Sequence, residues 1–166
     1  MLKLGEFFPN FLANTTIGPI QLYDWMEKSW CMLLSYHSDF DAVCTSELAS
    51  LVKLHDQFRK RNVKLMAISC DSLSSHTRWI SDILECSLSK DKYLPFPIVA
   101  DENCDLLLEE LNLLTPNLET THVTYLIDPT KRIRLSTTYP PNVGRKFREM
   151  LKVIDALQDI SIVPPA

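Results

Sequence analysis

Cysteine becomes a nucleophile where its surroundings favour the thiolate, and Cys44 stands at such a place. It follows a near-continuous apolar run, Trp30 to Tyr36, and a short polar turn, Ser38-Asp39-Phe40-Asp41. A helical pattern begins beside it, and a helix N-terminus offers unsatisfied N–H groups and partial positive charge. The local sequence leaves two readings level, a nucleophile and an inert structural cysteine. His37, Asp41 and Cys44 are spaced i, i+4, i+7, so an imidazole and a carboxylate share the thiol's stretch of chain. The other cysteines are Cys31, Cys70, Cys86 and Cys104. An odd number without Cys-x-x-Cys spacing does not describe a disulfide framework, so reduced thiols are expected. Cys31 and Cys70 fall in predicted buried strands and read as core. Cys86 and Cys104 fall nearer loops or helix ends.

The elements that must position Cys44 alternate along the chain. Trp30 to Tyr36 and Val63 to Cys70 read as strands buried on both faces. Between them Leu48, Leu51, Val52, His55 and Phe58 recur at helical spacing. A strand, a helix and a strand in that order imply a right-handed parallel crossover. Trp79, Ile80, Ile83 and Leu84 mark a second helix, opened by serines at 72, 74 and 75 that can cap it. Phe96 to Ala100 reads as a short strand and Leu106 to Leu114 as a short helix. Thr120 to Ile127 and Ile133 to Thr138 read as strands joined by a turn at Asp128-Pro129-Thr130-Lys131. Gly144 to Asp159 reads as a closing helix. The expectation is an α/β chain with a mixed sheet and helices on both faces. It is similar to the thioredoxin-like layout, with Phe11 to Leu22 as an added N-terminal hairpin.

The chain has 166 residues, 46% hydrophobic and 23% charged, as for one globular domain spanning residues 1–166. Its net charge of −4 and the scattering of both signs speak against nucleic acid or an anionic membrane as partner. The most basic run, Arg59-Lys60-Arg61, reads as the solvated end of a helix. No apolar run approaches the roughly 18 residues that span a bilayer, and Met1 to Glu6 lacks a signal peptide's apolar stretch. An intracellular, cytoplasmic location is expected, with the nucleus left open.

Ser35-Tyr36-His37-Ser38-Asp39-Phe40-Asp41-Ala42-Val43-Cys44-Thr45-Ser46-Glu47-Leu48 resembles the peroxidatic-cysteine segment of the one-cysteine peroxiredoxins. There it reads Ser-His-Pro-x-Asp-Phe-Thr-Pro-Val-Cys-Thr-Thr-Glu-Leu. Pro9-Asn10-Phe11, Ala13 to Thr16, Lys60 to Leu65, Leu94 to Ile98 and Tyr139 to Arg145 continue the resemblance across essentially the whole chain. The resemblance implies a thiol peroxidase: the thiolate takes an oxygen from peroxide, becomes sulfenic acid and is reduced by an external thiol. It also implies pairing into dimers, a cofactor-free site, and a smaller C-terminal domain that would begin about where this chain stops. Without that domain, a wider active-site mouth and weaker dimerisation are expected.

Of the Pro, Thr, Cys and Arg that build the family's site, the cysteine alone is kept, as Cys44. His37 stands at the proline position, Asp41 at the threonine position and His122 at the arginine position. A second family arginine is kept as Arg145. A carboxylate beside the sulfur disfavours the thiolate. A missing positioned donor costs on the order of 10²–10³ in rate, and an imidazole replaces a guanidinium poorly. The first expectation is therefore a pseudo-enzyme, a scaffold for a protein partner or for itself, with a vestigial Cys44. The alternative is a working peroxidase on Cys44, with Arg145 and His122 assisting. A third reading gathers His37, Asp41, Cys44 and His122 as a zinc set. The phospholipase activity found among relatives is not expected. Ser29 matches its serine, but Tyr23 and Thr130 stand at the histidine and aspartate positions.

Overall fold

The computed structural model describes residues 2–113 and 121–162. Seven strands form one mixed sheet in the order β2-β1-β5-β4-β3-β6-β7. They are β1 (Leu12–Thr15), β2 (Gly18–Gln21), β3 (Trp30–Ser35), β4 (Val63–Ser69), β5 (Ile98–Ala100), β6 (His122–Ile127) and β7 (Ile133–Tyr139). The helices are α1 (Leu22–Met26), α2 (Ala42–Lys60), α3 (Leu73–Cys86) and α4 (Phe147–Ile162).

β3 lies inside the sheet, between β4 and β6, because only Ser35 among its residues is polar. All six of its residues are buried. Alternation then divides it between two cores. Trp30, Met32 and Leu34 pack with Leu48, Leu51 and Phe58 of α2, Trp79 and Ile83 of α3, and Phe147 and Ile154 of α4. Cys31 and Leu33 face the opposite core, with Phe8, Leu22 and Met26, and with Leu106, Leu107 and Leu111. β3 and β4 run parallel, with Leu34 opposite Ala67. β3 and β6 run antiparallel, with Leu34 opposite Thr124. This register carries the end of β3 alongside the start of β6, and so brings His122 beside the turn that leads to Cys44.

The expected layout, mixed sheet and helices on both faces included, is the observed one. The local chemistry follows in several places. Ser72 caps α3 by accepting the Ser75 N–H at 3.1 Å. The Asp128–Lys131 turn closes with Lys131 N donating to Asp128 O at 2.8 Å.

Four differences stand out. α1 was not anticipated, because five residues are too few to display a period. Leu106–Glu110 forms a single π-helical turn rather than a helix reaching Leu114, which lies outside the described residues with Thr120. α4 starts at Phe147 instead of Gly144, which frees Arg145 to turn inward. Lastly, Cys70 and Cys104 form a disulfide, correcting the expectation that both are reduced. Its cause is topological. β4 and β5 are parallel neighbours, so the chain following each leaves the sheet at the same end. Residues 34 apart in sequence then meet with Cα atoms 5.2 Å apart.

Candidate active site

Cys44 sits in the first turn of α2, whose N-cap is Asp41. The Asp41 carboxylate accepts the Cys44 N–H at 3.0 Å, and Thr45 Oγ1 donates to the Asp41 carbonyl at 2.8 Å. Asp41 was expected as a like charge against the sulfur, and it is first of all a cap. Burial works against its charge, but the N–H groups of Cys44 and Val43 hold its carboxyl below the ordinary value.

The Cys44 side chain is fully buried. Burial pushes its thiol from the ordinary 9.0 up to about 12, opposed by the backbone of Ser38 and His37 and reinforced by Asp41. Asp41 therefore acts in the expected direction, but burial is the larger cause.

His122 opens β6 and is also fully buried. Its Nε2 lies 3.7 Å from Cys44 Sγ and accepts the His37 backbone N–H at 3.3 Å. Its Nδ1 faces Glu47 Oε1 at 3.4 Å, close enough for ion pairing but not aligned as a hydrogen bond. Glu47 follows Cys44 by one helical turn and lies on the same face of α2. Burial alone would raise its carboxyl. The nearby His122 ring and the hydrogen bonds and charge of Arg145 outweigh that and hold it at about 2.

Arg145 completes the cluster. Its backbone N donates to Glu47 Oε2 at 2.6 Å, its Nε to the same oxygen at 2.8 Å, and an Nη to Oε1 at 3.0 Å. The remaining guanidinium hydrogens reach Val123 O at 3.0 Å, Thr124 Oγ1 at 3.1 Å and Ser35 O at 2.8 Å. A buried guanidinium with all its donors used is a fastener. It fixes Glu47, whose Oε1 stands 3.4 Å from the ring of His122.

The structure thus brings Cys44, His122 and Arg145 into one cluster and adds Glu47, to which the sequence reading gave no role. The available signal was a glutamate one turn after Cys44 on a helix face that must be buried. The side chain of His37 is exposed, and only its backbone N–H belongs to the site.

The zinc set therefore does not assemble. Asp41 is spent on the helix cap and His37 points outward. The ligand atoms that do converge are those of Cys44, Glu47 and His122. Glu47 already carries the Arg145 guanidinium on both oxygens, and a metal cation would be repelled there. Ser29, Tyr23 and Thr130 each have partners of their own: Ser29 Oγ donates to Met26 O at 2.5 Å, Tyr23 to Phe8 O, and Thr130 Oγ1 to Asp128 Oδ1 at 2.6 Å.

A thioredoxin-like sheet that delivers a buried cysteine to the start of the helix after an interior strand, against a histidine and a fixed carboxylate, defines a thiol-chemistry protein. The chain belongs to the AhpC/TSA family, which it matches over residues 4–136. It is 44% identical to a 1-Cys peroxiredoxin of Dirofilaria immitis, over 95% of this chain and 74% of that protein. It is 42% identical to human Peroxiredoxin-6, over 95% of this chain and 73% of that one. Among solved structures, peroxiredoxin 6 of Arenicola marina superposes with a TM-score of 0.91 at 40% identity, covering 95% of this chain and 74% of its own. A yeast mitochondrial 1-Cys peroxiredoxin superposes equally well, at 40% identity, over 99% of this chain and 82% of its own. Peroxiredoxins are cofactor-free thiol peroxidases, and nothing in the site calls for zinc.

Proposed function

We propose that this chain is a one-cysteine thiol peroxidase acting through Cys44. The observation that carries the reading is the 3.7 Å approach of the Cys44 sulfur to a basic ring nitrogen of His122, inside a cluster whose Glu47–Arg145 pair is complete. The sulfur attacks one peroxide oxygen, the O–O bond breaks, and Cys44 becomes a sulfenic acid that an external thiol returns to the thiol. The enclosure of the sulfur favours a small oxidant such as hydrogen peroxide over bulky hydroperoxides. The solved yeast relative is described as being resolved through glutathione and thioredoxin systems, which makes glutathione and thioredoxin the reductants to try first.

The upward shift of the Cys44 thiol favours the other reading, a vestigial site on a scaffold that pairs with itself or a partner through β2 or β7, the strands that end the sheet. What outweighs it is the retained buried machinery. The buried Glu47–Arg145 pair fastens α2 to β3 and β6, and it does so with a Glu47 oxygen turned to the ring that stands beside the thiol. Peroxide consumption with glutathione or thioredoxin as reductant, compared between the protein and Cys44→Ser, tests the reading. Turnover that vanishes with Cys44→Ser supports it. Absence of turnover in both, with Cys44 recovered as the thiol, returns the scaffold reading.

A further inference from the structure

We propose that His122 is the acid–base catalyst of this site and that Glu47, fastened by Arg145, is its positioning residue, so that Cys44 is ionised by its neighbour at the moment of reaction. The substrate in this proposal rests on the peroxidase reading, whereas the proton transfer stands on geometry alone.

The tautomer of His122 follows from its partners. The His37 N–H donates into Nε2 at 3.3 Å, so Nε2 carries the lone pair and the ring proton sits on Nδ1. Nδ1 faces Glu47 Oε1 at 3.4 Å, where a carboxylate favours that tautomer and stabilises the ring once it is protonated. The Cys44 sulfur lies 3.7 Å from the same Nε2, so the thiol proton competes with the long His37 N–H contact for that one lone pair and displaces it on transfer. Nucleophile, base and carboxylate stand in the order used wherever an imidazole activates a thiol or hydroxyl.

Charge bookkeeping around the ring supports the same assignment. Cys44 and Glu47 face it from α2, His37 from the end of β3, and Tyr139 lies opposite it in register on β7. Arg145 is spent on Glu47, Val123, Thr124 and Ser35, and it cancels the Glu47 charge. The imidazole is left as the group whose protonation can change without leaving a buried charge unpaired, because the proton it gains comes from Cys44.

The step balances. The thiol proton passes to Nε2 as the sulfur becomes thiolate. A sulfur lone pair attacks one peroxide oxygen, an S–O bond forms and the O–O bond breaks. Sulfur is oxidised by two electrons and the peroxide is reduced by two. The departing hydroxide or alkoxide takes the proton from Nε2 and leaves as water or alcohol. The ring is restored and the sulfenic acid remains. A standing guanidinium could do the first half of this work by charge alone, but it could not return a proton.

The test measures two rates on the full chain across pH: alkylation of Cys44 by iodoacetamide, whose pH dependence reports the thiolate while access to the buried sulfur sets a pH-independent factor, and oxidation by hydrogen peroxide. The proteins are the unaltered chain, His122→Gln and Glu47→Gln. Expected for the unaltered chain are neutral-pH rates well above those that the thiol's own ionisation would allow. His122→Gln lowers the neutral-pH rates by on the order of 10²–10⁴ and turns both profiles into a continuous rise toward the thiol's own ionisation. Glu47→Gln shifts the His122 ring toward the Nε2–H tautomer, read from imidazole ¹⁵N resonances of the folded variant. His122→Gln with unchanged rates and profiles overturns the relay. So does a uniform loss of rate with an unchanged pH profile, which would make His122 structural. A His122-dependent alkylation profile with peroxide oxidation no faster than a free thiol's keeps the relay and overturns the peroxidase reading.

Discussion

Two histidines are fully buried in this molecule, each against a carboxylate, and their surroundings differ in completeness. His76 on α3 is finished. Its Nδ1 meets Asp39 Oδ2 at 2.7 Å and its Nε2 meets the Val99 carbonyl at 3.0 Å. Asp39 also accepts the Tyr36 hydroxyl at 2.7 Å and the Ser75 hydroxyl at 2.8 Å, and its own N–H reaches Asp71 at 2.9 Å. His122 is unfinished. Its Nδ1 stands off Glu47 at 3.4 Å, and its Nε2 is shared between a long backbone contact and the Cys44 sulfur. The first arrangement ties β3, α3 and β5 together and leaves no atom over. The second divides one lone pair between a long backbone contact and a thiol. In both the residue types are nearly the same, and what separates a brace from a catalyst is the number of partners left open.

The largest expected effect breaks the brace. Asp39→Ala leaves His76, Tyr36 and Ser75 without their common acceptor, at a cost of about 3–5 kcal/mol in denaturant unfolding. His122→Gln should shift the same transition by no more than about 1 kcal/mol, since little hydrogen bonding is lost there. Equal destabilisation by the two changes would erase the distinction.

The carboxylate at the reactive histidine should also show itself in acid. Glu47 is held at about 2, below its ordinary 4.5, so its contribution is complete above that ordinary value and is lost as pH falls through about 2. Unfolding free energy measured from neutrality to pH 2 should drop across that window, and Glu47→Gln should make the drop less steep.

The disulfide lies outside both clusters and gives a control of known kind. Cys104→Ser removes a cross-link spanning 34 residues. It should cost roughly 3–4 kcal/mol, seen as a lower denaturant midpoint that matches the reduced parent protein.

The smallest effect sharpens the reading of Asp41. Asp41→Ala removes the α2 cap and should cost about 1 kcal/mol. Because Asp41 raises the Cys44 thiol, the same change should speed alkylation of Cys44 at fixed pH.

Much of this was legible in the chain. The near-continuous apolarity of Trp30 to Tyr36 announces a strand buried on both faces, and the period of Leu48, Leu51 and Phe58 announces the helix that presents Cys44. The resemblance supplied His122 and Arg145 by position. What it could not supply was orientation. His37 and Asp41 look like ligands in a linear pattern, yet backbone geometry turns one outward and spends the other on a cap. Glu47 is invisible as chemistry until its burial beside Arg145 is seen. The Cys70–Cys104 bond depends on β4 and β5 being parallel neighbours, a fact of sheet order that cysteine spacing does not carry. The expectation of decay weighed each replacement alone, and the 3.4 Å approach of His122 to Glu47 shows only in the folded chain.

The most direct test of the account is the second-order rate at which Cys44 takes up one oxygen from hydrogen peroxide at neutral pH, followed by intact mass with trapping of the sulfenic acid. The account predicts addition of a single oxygen at Cys44, far faster than for a free thiol, and slowed strongly by His122→Gln. Oxidation at the pace of a free thiol, indifferent to His122, would contradict it.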